Sequence, residues 1–170
     1  VNFEIANSGA ISVDGYTWAA GIEAQAVDVV NVANTGDITA SVYSNGHAYG
    51  IYATGSDVTV VNEGNVGVQG YYATGIEAQS YGDIAIDNGG SIVAYSGNGL
   101  ALGINASSGG EGAVVSVGNT GVVAAVGYYG GTAISAVSSG VGGTVSVDNS
   151  GTLYAQQGNK YGLGAYGISA

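Results

Sequence analysis

The chain carries 33 Gly and no Pro in 170 residues, a formal net charge of −11 at pH 7, and 46% apolar residues, which is too apolar for a disordered linker. The absence of Cys, Met and Arg, with a single Lys (Lys160) and a single His (His47), excludes a disulfide framework, a nucleophilic thiolate and a Cys/His zinc site. Twelve acidic residues against one base set nucleic acid and anionic membranes aside as partners, and no stretch approaches the roughly 18 apolar residues of a membrane-spanning helix.

Read in chain order, the sequence repeats. Coil one (2–28) opens with NFEIANSGAISV (2–13) and closes with AAGIEA (19–24). Coil two (29–56) has VVNVANTGDITA (29–40) and AYGIYA (48–53); coil three (57–82) has DVTVVNEGNVGV (57–68) and ATGIEA (73–78). Coil four (83–113) has DIAIDNGGSIVA (83–94) and ALGINA (101–106). Coil five (114–143) has VVSVGNTGVVAA (114–125) and GTAISA (131–136), and coil six (144–170) has TVSVDNSGTLYA (144–155) and AYGISA (165–170). The first block of each coil reads apolar-x-apolar-x-Asn-x-Gly-x-apolar, and the second reads small-x-Gly-Ile-x-Ala, with Ala133 the one departure at the Gly column. Insertions fall between the blocks, so length variation is expected in turns.

Alternation of apolar and other residues with period two predicts strands, here of three to five residues, with β-branched Val and Ile in the inward columns. A unit of 26–31 residues that can bury its apolar face only against copies of itself predicts a solenoid. The identical columns favour parallel, in-register stacking over hairpins. The expected fold is therefore an all-β, three-sided parallel β-helix (β-solenoid) of six coils, right-handed by analogy, filling 1–170 as a single array. At about 4.8 Å per coil the rod would be about 29 Å long. The N-terminal VNFEIANSG has no basic start followed by an apolar run, so it does not read as a signal peptide. The chain is expected to be the mature core, or a fragment, of a longer protein.

Asn7, Asn34, Asn62, Asn88, Asn119 and Asn149 occupy the bend between the first two strands of each coil. Asn accommodates a left-handed backbone, and its amide both donates and accepts, so a hydrogen-bonded ladder along the rod is expected.

Asn7-Ser8-Gly9, Asn34-Thr35-Gly36, Asn119-Thr120-Gly121 and Asn149-Ser150-Gly151, followed by Gly50-Ile51-Tyr52-Ala53 and its counterparts, resemble the repeats in passenger domains of bacterial autotransporters (type V secretion). More loosely they are similar to filamentous-haemagglutinin β-helices. The resemblance covers the whole chain and implies secretion, display at the outer cell surface, and adhesion. The family's signal peptide and C-terminal barrel are not in this sequence.

Parallel β-helices also house polysaccharide lyases and glycosidases. The lyases lean on Arg or Lys bases, which this chain lacks apart from Lys160, and the acids are scattered over several columns instead of pairing across one groove. No catalytic activity and no resident cofactor are expected. Asp28, Asp57 and Asp83 precede equivalent strands and would line up about 5 Å apart, where calcium could bridge them or where they are solvated turn acids. Tyr16, Trp18, Tyr43, Tyr71, Tyr72, Tyr95, Tyr128, Tyr129 and Tyr161 fall between the second and third strands. Stacked in register, they predict an aromatic edge that contacts a sugar, a host protein or another rod, or that packs over its own corner. The outward column Glu23, Tyr52, Glu77, Asn105, Ser135 and Ser169 is expected to be a solvated face, and His47 an inert turn residue. Two functions follow as expectations: an extracellular adhesin rod that binds a host-cell or matrix glycan or protein, or a structural protein whose copies assemble into filaments.

Overall fold

The computed structural model describes residues 2–170, which form an all-β solenoid of six coils with three strands each. Coil one holds β1 (Phe3–Asn7), β2 (Ile11–Gly15) and β3 (Trp18–Gln25); coil two holds β4 (Val30–Asn34), β5 (Ile38–Val42) and β6 (His47–Gly55). Coil three holds β7 (Val58–Asn62), β8 (Val66–Gln69) and β9 (Tyr72–Ser80); coil four holds β10 (Ile84–Asn88), β11 (Ser91–Ser96) and β12 (Leu100–Ser108). Coil five holds β13 (Val114–Asn119), β14 (Val122–Gly127) and β15 (Gly130–Ser138), and coil six holds β16 (Thr144–Asn149), β17 (Thr152–Gln157) and β18 (Gly164–Ser169).

First strands pair only with first strands, second with second and third with third, giving three parallel six-stranded sheets. Each coil pairs with the next in the register the repeat columns dictate. Val32 stands on Val60, Ile86 on Val117, and Asn62 on Asn88. The apolar columns face inward and are buried, among them Val58 and Val60 from the first sheet, Ile38 and Ile92 from the second, and Ile51, Ile76, Ile104 and Ile134 from the third. Each such side chain contributes about 1.5–3 kcal/mol by leaving water, and no coil has that core without its neighbours.

The third-face strands are longer than the three to five residues expected from the alternation. β3 spans 8 residues, and β6, β9, β12 and β15 span 9 each. The expectation fell short because the alternation breaks inside them: in Ala-x-Gly-Ile-x-Ala both Gly and Ile turn inward, and the register pairs skip the Gly column. A Cβ on Gly21, Gly50, Gly75 or Gly103 would run into Ile38, Val66, Ile92 or Val123 of the following coil. Glycine here lets one continuous strand bend around the core.

The asparagine bend also differs from expectation. No described non-glycine residue has a positive φ; only Gly112, Gly142 and Gly164 do. The asparagines therefore hold their corner with side-chain hydrogen bonds, in ordinary backbone conformations. Their partner glycines are explained by crowding: a Cβ on Gly36, Gly64, Gly90, Gly121 or Gly151 would collide with the carbonyl oxygen of the equivalent glycine one coil earlier. The insertions do lie in turns, and Gly112 and Gly142 take left-handed conformations in the turns that lengthen coils four and five.

Candidate functional site

The ladder runs the length of the rod. Asn7, Asn34, Asn62 and Asn88 each donate Nδ2 to the Oδ1 of the next asparagine at 2.8 Å, and Asn119 donates to Asn149 at 2.7 Å. Every Nδ2 also donates to the carbonyl of the glycine two residues on, from 2.8 Å at Gly9 to 3.3 Å at Gly121. The four inner amides are buried, so this column is a structural spine and offers nothing to a ligand.

The expected aromatic edge divides. Tyr71, Tyr72, Tyr129 and Tyr161 line one groove of about 280 Å³ whose floor is Gly99 and Leu100, with Gly162 and Leu163 beside Tyr161. The groove exists because coil four has Gly99 and Leu100 where coil three has Tyr71 and Tyr72, while coil five again carries a ring, Tyr129, beside Gly99. Gly99 itself could not bear a side chain, since its Cβ would strike the Tyr71 carbonyl. Tyr71 packs edge-on against Tyr72 at 4.8 Å, and Tyr128 against Tyr129 at 5.0 Å, so the walls are paired rings. Tyr43, Tyr71 and Tyr95 line a second, more polar groove of about 340 Å³ with Asn45, Gln69 and Asn98, leaving Tyr71 as the ridge between the two. Tyr16 stands apart, 76% exposed in the coil-one turn. Tyr72, Tyr95 and Trp18 lie within strands and not in turns.

Sequence reasoning missed a second aromatic cluster. Trp18 begins β3 and lies 4.9 Å from Tyr49 and 5.8 Å from Tyr52, ring centre to ring centre, with Tyr49 and Tyr52 5.0 Å apart. His47 is the first residue of β6 and not a turn residue, and it stacks on Tyr72 at 4.6 Å. Tyr49, Tyr52 and His47 were legible from the register alone, because they sit at outward positions one coil above Ala20, Glu23 and Trp18.

The outward column through Glu23, Tyr52, Glu77, Asn105, Ser135 and Ser169 is present in register, yet it is not a uniformly solvated face. Glu77 is only 5% exposed. Gln79 Nε2 donates to its Oε1 at 2.9 Å, and Asn105 Nδ2 donates to Oε1 at 2.9 Å and Oε2 at 3.1 Å. Burial pushes the Glu77 carboxyl above the usual glutamate range, and these amide bonds hold it partly back. Burial, then the Glu77 charge, then Tyr52, push the Tyr49 hydroxyl up to about 12; burial, Glu77 and Glu23 raise Tyr52 as well.

The corner acids are turned toward the backbone. Asp57 Oδ1 accepts the Asp83 amide, and Asp83 Oδ1 accepts the Val114 amide, each at 2.8 Å, so each tethers the start of the next coil. Asp37 accepts both the backbone and the side-chain N–H of Asn65 in the same way at another corner. Among the described residues no group of three or more His, Cys, Asp or Glu side chains is gathered to hold a metal, and Asp28, Asp57 and Asp83 do not form one. No described helix is long and apolar enough to cross a membrane. Comparison with protein-family models, with curated proteins and with solved structures found no match.

Proposed function

We propose that this chain is a displayed recognition rod, an extracellular adhesin-type passenger at the outer surface of a bacterial cell, whose corner between the second and third sheets contacts a host-cell or matrix glycan or protein. The observation that carries this reading is the groove walled by Tyr71, Tyr72, Tyr129 and Tyr161 over Gly99 and Leu100. Such rings offer a broad apolar surface ringed by hydroxyl groups, at low entropic cost to order. The autotransporter-like Asn-Ser/Thr-Gly repeats support the cell-surface setting, and the solenoid supports the rod. An uninterrupted stack of coils is a stiff scaffold that presents one corner at regular intervals.

The test is binding of the purified rod to cultured host cells and to immobilised matrix components. Double replacement of Tyr72 and Tyr129 by Ala should cut binding at least about tenfold while the far-ultraviolet circular dichroism stays that of a folded sheet. Unchanged binding by the double variant would remove the corner from the reading. Electron microscopy of the same material gives the opposing outcome, because open-ended fibres built from this unit would identify a structural filament instead.

A further inference from the structure

A carboxylate buried on the outward face of a sheet needs a reason. Removing a charged group from water costs several kcal/mol unless it is paired, and Glu77 is held only by the neutral amides of Gln79 and Asn105. The chain has no Arg, and its one Lys lies in coil six, where Lys160 sits 4.8 Å over the Tyr161 ring. Among the described residues no Lys or Arg is therefore placed to neutralise Glu77.

Its surroundings are those that hold a cation. Tyr52 stands between Glu23 and Glu77 in one register column, a coil away from each, and both carboxylates act electrostatically on its hydroxyl. Tyr52 belongs to the tight group with Trp18 and Tyr49, in which Trp18 and Tyr52 meet at 82° and the other two pairs at 49° and 54°. A positive group within about 6 Å of such ring centres is attracted by the rings, and carboxylates on either side add direct charge. Glu23 is exposed and Trp18 is 44% exposed, so a ligand can reach both. The net charge of −11 draws in cationic partners over longer range and repels acidic ones.

We propose that the outward face of the third sheet in coils one to three is a docking site for a basic peptide segment of another protein, with an arginine or lysine seated on Trp18, Tyr49 and Tyr52, beside the exposed Glu23 and within the field of the buried Glu77. The site uses other residues than the tyrosine groove, so either can fail while the other stands. A neutral glycan is the competing occupant.

Trp18 is the only tryptophan in the chain, so its emission reports this site directly. The rod is titrated with a synthetic hexaarginine peptide and, separately, with a neutral hexasaccharide. A saturable change in Trp18 emission with the peptide and none with the sugar is expected. Glu23→Gln and Glu77→Gln should each weaken peptide binding about tenfold, and Tyr52→Leu by a similar factor. Glu63→Gln removes the same charge from the bend after β7, at another corner of the rod, and should leave the affinity unchanged. Equal weakening by Glu63→Gln and Glu23→Gln would reduce the effect to bulk charge and overturn the site. A flat peptide titration, or saturation by the hexasaccharide instead, would overturn it as well. Glu23 is exposed and its Gln variant leaves the core intact, so the test survives even if Glu77→Gln impairs folding.

Discussion

Truncating Asn62 to Ala isolates what the asparagine spine contributes. Asn62 is fully buried, donates to the Gly64 carbonyl at 2.9 Å and to Asn88 at 2.8 Å, and accepts from Asn34 at 2.8 Å. Three hydrogen bonds at about 1 kcal/mol net apiece put the loss near 3 kcal/mol. The Asn34 N–H and Asn88 oxygen left facing the gap add to this if no water enters, so about 2–5 kcal/mol is expected. Asn7 is the comparison: it is part-exposed, donates twice and accepts only a long 3.3 Å bond from the Gly9 amide, all within reach of water, and its truncation should cost about 1–2 kcal/mol. Thr59 is the control, an exposed residue of the same strand β7 as Asn62, whose replacement by Ala should stay within about 0.5 kcal/mol. Urea unfolding followed by circular dichroism reads all three. If Asn62→Ala and Thr59→Ala unfold at the same midpoint with the same slope, the ladder is a geometric coincidence of stacking and contributes nothing to stability.

The remaining predictions address glycine, a buried acid and calcium. Gly64→Ala drives a Cβ into the Gly36 carbonyl and should destabilise by about 1–3 kcal/mol in the same urea assay. Gly67→Ala, whose Cβ would meet nothing closer than the Ile38 carbonyl at 3.9 Å, should be neutral or stabilise by up to about 1 kcal/mol. Glu77 is raised above the ordinary value of 4.5, so the folded rod holds its proton more tightly than the unfolded chain does. This group's contribution makes stability fall as pH rises from 4.5 to the raised value, and Glu77→Gln should remove that part of the slope in unfolding curves taken across the window. Millimolar calcium should leave the melting temperature unchanged, because Asp57 and Asp83 are each engaged with a backbone amide; a rise of several degrees that Asp83→Asn abolishes would show that these acids take a metal after all.

The rod was legible because its inward columns have only copies of themselves to face. Val30, Val58, Ile84 and Val115 occupy one environment, so one residue type recurs and the register can be read directly. The bend in the third strand was not legible, since glycine has no side chain with which to declare a face, and Gly-Ile reads as ordinary alternation. The left-handed asparagine was a propensity argument, and it lost to tertiary geometry: once the amide bonds to the next coil, no special backbone is required. Glu77 was misplaced for a different reason. Outward position in a strand predicts solvent contact only when the neighbouring rungs are short, and here the rungs on either side of Glu77 are Tyr52 and Asn105.

That last point bears on where a solenoid can carry specificity. The inward columns are held uniform by packing, so any change there is felt by the coils on both sides. The outward columns are under no such rule, and in this chain they do not repeat. The column through Glu23 runs Glu, Tyr, Glu, Asn, Ser, Ser, and the neighbouring column through Ala20 runs Ala, Tyr, Thr, Leu, Thr, Tyr. Aromatic rings concentrate in coils one to three on the third sheet, and in coils three, five and six around the Gly99 groove. An inert spacer built from one repeated coil would have no cause to depart from the repeat in this way, or to bury a carboxylate beside Tyr52 on an outward column. On the proposed reading these departures are the surfaces at which a partner would meet the rod, and the uniform core holds them at fixed positions along it.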